Sequence, residues 1–417
     1  MRRRRPRPQG GGSRRFEPRH GACCVAAATF AAAVLSLALV TLADPPEPKP
    51  GTVRFVRIAN SAFDRYTKSP TPSEQRWMRA KYWRMLAYSP YFDSRLTWFP
   101  AAWVYKDLYA IYVGSALAAE HPEWILRDAS GNPLYIRFAC SGGSCPQYAA
   151  DTGDPRFRAH WIAEAAATLA KGYRGLYVDD VNLTISRVSD GKGQVVTPVD
   201  PRTRHPMTEA DWRRDLTEFL AQIRAAFPHA EIVHNVIWSV DRDDPAVETA
   251  DVIGLERGVN DSGIHGGGGT YGFDTFLSYV DWVHAHGRSV LFDANATTDQ
   301  AREYGLAAYF LLTAGADSLA NDERGRPDDW WKGYETSLGA PRGRRYAWRS
   351  VLRRDFERGV VLVNPPDAPE RSVELDEERV DLSGRRRKTV TLAAAAGAVL
   401  LVADRLPDSR EPLSQMP

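Results

Sequence analysis

Two adjacent carboxylates, Asp179 and Asp180, close the apolar run GLYVDDVN at residues 175–182. Like charges at the end of a strand-like segment are costly unless a metal, hydrogen bonds or chemistry uses them. A further acid, Glu256, stands in GLERGVND, again directly after a short apolar stretch. Two acids flanking a cleft are what cleavage of a sugar–sugar bond requires, one as nucleophile or base, the other to protonate the leaving oxygen. In a strand, alternate residues share a face, so Gly175, Tyr177 and Asp179 lie together, as do Leu176, Val178 and Asp180. The apolar company of Asp180 suits a helix-covered face. Asp179 is therefore the expected inward acid, with Asp180 a close second because pleating breaks near strand ends. Arg257 beside Glu256 offers the competing reading, a structural ion pair.

The same ending recurs along the chain: His234 and Asn235 in AEIVHNV, Asp293 and Asn295 in SVLFDANA, Asn321 and Asp322 in ADSLAND. Some of these residues cap helices or tie loops. Asn235, Asp293, Asn295, Asp322 and Tyr177 are the expected substrate contacts. Tryptophan is abundant, with 12 residues, and Trp98, Trp103, Trp124, Trp238, Trp330 and Trp331 fall in segments that read as loops. Flat rings suit sugars as well as cores, and Trp98 and Trp238 are expected to line the cleft. The glycine-rich GIHGGGGTYGF (263–273) lacks the Lys and Ser/Thr context of a phosphate cradle and reads as a mobile loop over the site. No cysteine or histidine pairs stand at zinc spacing, so neither metal nor cofactor is expected; a metal held by Asp179, Asp180 and a histidine is the outlying reading.

Such acids need a scaffold that gathers strand ends. Short apolar strands alternate with helical patterns from Val53 onward, which predicts a parallel sheet. Strand one is VRFVRIAN (53–60), strand two MLAYSP (85–90), and strand three either PLYIRF (133–138) or QYAAD (147–151). Strands four to eight are GLYVDDVN, AEIVHNV, ADVIGLERG (250–258), SVLFDANA and ADSLAND. Eight such units predict a (β/α)8 TIM barrel over 53–344, an open doubly wound sheet being the alternative, and in a barrel the strand C-termini form the active face. From 345 to 404 the pattern changes to short alternating strands with Pro- and Gly-rich turns, a small antiparallel β domain. Residues 405–417 read as a tail.

The formal net charge of +2 argues against a nucleic-acid partner. Residues 1–20 are Arg-rich, and residues 21–43 carry no charge over a length that crosses a bilayer. The spacing predicts export, with 21–43 either a cleaved signal or a membrane anchor and the Pro-rich 44–52 a spacer. In an oxidising compartment, Cys140 and Cys145 in CSGGSC pair as a loop disulfide.

The ordered segments HPEWILRDASGNPLY, DTGDPRFRAHW, GYRGLYVDDVN, VIGLERG, SLANDERGRPDDWWKGYETSLGAPRGRRY and FERGVVLVNP resemble the glycoside hydrolases grouped as hypothetical glycosyl hydrolase family fifteen, over about residues 53–403. The resemblance implies a TIM barrel with a C-terminal β domain, similar to polygalactosaminidase-like and α-galactosidase-like barrels. It also implies a strand-four Asp in a G-x-x-x-D setting, here Asp179 four residues after Gly175, and a later acid, here Glu256. Arg174 stands where such chains often carry Asp. The function expected is hydrolysis of an envelope or extracellular polysaccharide without cofactor, with Asp179 as nucleophile, Glu256 as acid/base, and Asp180 assisting. A carbohydrate-binding or scaffolding barrel without catalysis is the alternative.

Overall fold

The computed structural model describes residues 47–58, 68–87, 95–238, 244–321 and 330–403. Eight strands close into a barrel: β1 (Phe55–Ile58), β2 (Arg84–Ala87), β3 (Ala102–Asp107), β4 (Gly175–Val181), β5 (Glu231–Val236), β6 (Val252–Leu255), β7 (Ser289–Asp293) and β8 (Ser318–Ala320). Each pairs in parallel with the next, and β8 returns to β1. Strands buried on both faces need apolar residues throughout, which explains the near-continuous runs in the sequence. Val56, Ile58, Leu86, Trp103, Tyr177, Val233, Val252, Leu291 and Ala320 fill the interior, while Leu176 and Val178 belong to the core shared with the helices.

The floor of the barrel is polar but paired. Glu231 accepts from Trp103 Nε1 at 2.7 Å, from Arg84 Nε at 3.0 Å and Nη2 at 2.8 Å, and from Arg174 Nε at 3.0 Å. Gly175 makes that closure possible, since a Cβ there would lie 1.9 Å from the Glu231 carbonyl oxygen.

Helices α1 (Pro72–Lys81), α2 (Ala116–Glu120), α3 (Pro155–Leu169), α4 (Glu209–Ala226), α5 (Pro245–Thr249), α6 (Phe273–Ala285) and α7 (Asp299–Leu312) lie in the connections. The α3 boundaries follow local chemistry. Asp154 caps the Arg156 N–H, Pro155 opens the first turn, and Gly172, at φ 108°, turns the chain toward β4.

Strand three differs from expectation. It is AWVYKD, not PLYIRF or QYAAD; those contribute Tyr135–Ile136 and Gln147–Ala149 to a separate four-stranded antiparallel sheet with Ala110–Tyr112 and Val188–Ser189. This sheet grows from the connections after β3 and β4, and the disulfide Cys140–Cys145 closes the loop beside it. Trp103 is a barrel residue rather than a loop residue.

The C-terminal strands β9 (Tyr346–Trp348), β10 (Val351–Phe356), β11 (Gly359–Asn364), β12 (Arg371–Val380), β13 (Arg386–Leu392) and β14 (Ala396–Val402) form an antiparallel sheet in the order β9-β10-β11-β14-β12-β13. Helix α7 is shared with it. Glu303 accepts from the Val399 N–H, and Arg354 donates to the carbonyls of Phe310, Leu311 and Thr313 at the helix C-terminus. The glycine-rich loop touches the β11–β12 connection of the C-terminal sheet. Gly266 donates to Asp367 at 3.0 Å, and lacking a Cβ it lets the backbone approach Pro366. No described helix is long and apolar enough to cross a membrane; residues 21–43 lie outside the described residues.

Candidate active site

A cavity of about 1440 Å³ opens at the C-terminal ends of the barrel strands and runs on along α3. Asp179, Asp180, Tyr177, Asn235, Glu256, Asp293 and Asn295 all line it. Four different strands therefore deliver the acids and amides foreseen for this face to one hollow.

Asp179 is the most heavily held of them. Its Oδ2 accepts from the Tyr105 hydroxyl at 2.7 Å; its Oδ1 accepts from Asn235 Nδ2 and from the Asp180 N–H, each at 2.8 Å. Three donors thus converge on the two oxygens of one carboxyl group. Burial, then the charges of Asp179 and Asp107, push the Tyr105 hydroxyl far above its ordinary range, so it remains a donor.

Asp180 reaches its place through backbone distortion. Its φ is 55°, and the β4–β5 register slips between Val178 and Val181, a bulge that swings the second acid out of the pleat. Asn182 Nδ2 donates to its Oδ1 at 2.9 Å. Burial first, then Asp179, pushes Asp180 up to about 6, with Arg187 acting the other way. Arg257 at φ 63° and Asn295 at φ 40° end β6 and β7 in the same left-handed fashion. Such strain is stored preferentially where function over-determines the backbone, and here three sites of it surround one cavity.

Glu256 is exposed in the cavity wall, and among the described residues it makes no ion pair with Arg257. The left-handed Arg257 and Gly258 turn the chain immediately after it, and Gly258 lets the β6 rim approach the Asp293 carbonyl, where a Cβ would sit at 3.3 Å.

Residues 91–360 match the family described as hypothetical glycosyl hydrolase family 15. The chain belongs to that family. It is thus a glycosidase by family, built on a TIM barrel. No curated protein is significantly similar in sequence. Among solved structures, the glycoside hydrolase domain of PelA from Pseudomonas aeruginosa is 17% identical, covering 66% of this chain and 97% of that one at a TM-score of 0.39. The α-galactosidase TtGalA from Thermus thermophilus is 14% identical over 74% of this chain and 66% of that one, at 0.44. The maltogenic α-amylase AmyB from Thermotoga neapolitana is 10% identical over 83% and 97%, at 0.46.

Neither tryptophan expected in the cleft of this family member lines it. Trp98 is 6% exposed and packs on Phe99; Trp238 packs edge-on against Tyr271 and Phe276. Aromatic bulk drew both into packing. Asn321, fully buried, bonds both backbone groups of Ala296 and the Tyr334 hydroxyl, a loop tie; Asp322 lies outside the described residues. His234 turns away from the mouth to the Ala246 carbonyl at 2.9 Å, and burial pulls it down to about 4. Among the described residues no group of three or more His, Cys, Asp or Glu is arranged to hold a metal ion.

Among the lining residues that the sequence reading missed are Tyr105 and Asp107 on β3, Tyr112 and Phe138 on the small sheet and its flank, and Arg187 after β4. Tyr112 and Phe138 are 53% and 60% exposed, unusual for such rings. The signal for the first pair was present, since AWVYKD is itself an apolar run ending in an acid.

Proposed function

We propose that this glycosidase cleaves a polysaccharide by a two-carboxylate, retaining mechanism, with Asp179 as nucleophile and Glu256 as acid/base. The observation that carries the reading is the triple hydrogen bonding of Asp179 at the barrel mouth, in one cavity with the exposed Glu256. Asp179 attacks the anomeric carbon while Glu256 gives its proton to the departing glycosidic oxygen. Water then enters, Glu256 takes a proton from it, and Asp179 leaves as carboxylate. Asp180, Asn235, Asp293 and Asn295 are positioned to orient the sugar or its nucleophile.

A polymeric substrate is favoured by size and by surface. The cavity of about 1440 Å³ exceeds the roughly 300–1,000 Å³ of ordinary small-molecule sites. The exposed faces of Tyr112 and Phe138 extend the lining away from the acids, as stacking platforms for further sugar rings would. Export is supported by the uncharged 21–43 segment behind its Arg-rich flank and by the Cys140–Cys145 disulfide, and it makes an envelope or extracellular glycan the natural target.

The test is a screen of the purified protein against envelope glycans, followed by Asp179→Asn and Glu256→Gln. Each substitution is expected to lower kcat by at least about 10³-fold while glycan binding persists. Retention is read from the anomer released, by NMR. Glycan binding with no cleavage by the wild type would instead favour a binding or scaffolding barrel.

A further inference from the structure

Arg187 lines the cavity without a partner of its own. Its Nε is buried and meets no acceptor, and no carboxylate among the described residues lies at ion-pair distance from its guanidinium. The other cations of the lining are placed differently: Lys106 bonds Glu164 at 2.9 Å, while Lys171 and Arg257 are exposed to water. A half-buried guanidinium with no counter-charge has lost hydration that it does not recover, so an oxyanion brought to it gains more than at the open surface.

The backbone on either side of Arg187 is fixed. Arg187 closes the short 3₁₀ turn Ile185–Arg187, which Thr184 caps by accepting from the Ser186 N–H at 3.1 Å; Glu209 accepts from the Ile185 N–H at 3.0 Å. The Arg187 carbonyl accepts from the Arg137 N–H at 2.8 Å, and the next two residues, fully buried, pair with Tyr135–Ile136 of the small sheet. Rigid elements therefore present the side chain, which lowers the cost of ordering it around a ligand. The same sheet and its flank carry the exposed rings of Tyr112 and Phe138 into the lining.

We propose that Arg187 is a specificity-determining residue, and that the substrate is an acidic glycan whose uronic-acid carboxylate sits on its guanidinium while neighbouring sugar rings stack on Tyr112 and Phe138. The inference rests on this cavity being the glycan cleft of the proposed reaction, which it narrows to an acidic polysaccharide. A carboxylate meets the guanidinium fork with two coplanar oxygens and brings a single negative charge. The single charge matters, because Asp107, Asp179, Asp180, Glu256 and Asp293 line the same cavity and repel a dianionic phosphate more strongly. Burial, then Asp179, raises Asp180, and Arg187 opposes both. A role confined to Asp180 would treat neutral and acidic sugars alike.

The experiment is isothermal titration calorimetry on the full chain with matched oligosaccharides: oligoglucuronates and oligogalacturonates, the same oligomers with each carboxyl reduced to a hydroxymethyl group, and the reduced oligomers sulfated at that carbon. In the wild type an acidic oligomer should bind about tenfold or more tighter than its reduced counterpart, and added salt should shrink the difference. Arg187→Gln should bring the two within about twofold by weakening the acidic member alone, and Arg187→Lys, which keeps the charge without the fork, should fall between. A panel in which no uronate outbinds its reduced counterpart would overturn the proposal; so would a preference that survives R187Q, or an R187Q loss equal for both members. A sulfated oligomer bound more tightly than the uronate would overturn the carboxylate assignment. The wild-type comparison decides the substrate class even if R187Q does not fold. Calorimetry needs no turnover, so a uronate that binds through Arg187 and is never cleaved counts against the glycosidase reading alone. A neutral oligomer bound and cleaved in preference counts against this inference alone.

Discussion

Asp179 and Tyr105 together illustrate how much a single hydroxyl contributes to a reactive carboxylate. The phenol supplies one of three donors to that carboxylate, at 2.7 Å. A hydrogen bond to a charged group is worth about 1.5–3 kcal/mol. Tyr105→Phe should therefore change kcat by about 10- to 100-fold with a smaller effect on KM, a split that steady-state kinetics resolves. Proton linkage gives a second prediction. Asp107 and Asp180 both have carboxyls raised by burial, so between the unfolded and folded values the native state binds more protons than the unfolded one. Their stabilising contribution is complete below the unfolded value near about 4 and is lost as pH rises through about 6 and beyond. Thermal melts from about pH 4 to 8 should show the wild type losing Tm relative to Asp107→Asn as pH rises; parallel curves would contradict it.

At the scale of the element, β4 does two jobs with its two ends. At its start Gly175 admits the Glu231 backbone, and Gly175→Ala should destabilise by about 1–3 kcal/mol in chemical denaturation, because a Cβ meets a carbonyl oxygen that cannot retreat. At its far end the bulge brings into one cavity two consecutive acids that an unbroken pleat would send to opposite faces. The apolar runs of β4 to β8 were legible in the sequence because each ends in an acid or amide, a pattern that helices rarely imitate. The β3 strand, AWVYKD, ends in an acid in the same way but was passed over. Its alternation is hidden by Trp103, which bonds the barrel floor, and by Lys106, whose amine reaches out to Glu164 at 2.9 Å. Two short strands of the neighbouring sheet offered a cleaner pattern, and with β3 misplaced, Tyr105 and Asp107 could not be seen as rim residues. Trp98 and Trp238 failed for another reason: ring size signals burial as readily as it signals a sugar platform.

In the molecule as a whole, α7 belongs to two layers at once. One side closes the barrel between β7 and β8, while the β domain meets Ala307 through Gly397 and caps the helix through Arg354. Deleting residues 345–403 would strip apolar surface and leave the last carbonyls of α7 without the guanidinium. The barrel alone is expected to be insoluble or to melt well below the intact chain; a soluble, equally stable truncation in a thermal-shift assay would refute this. A helix with two owners also constrains ancestry. Recombination that exchanged the C-terminal sheet for another would have to rewrite Ala307, Glu303 and the α7 terminus in the same event, so barrel and sheet are expected to have been inherited, and to have diverged, as one piece.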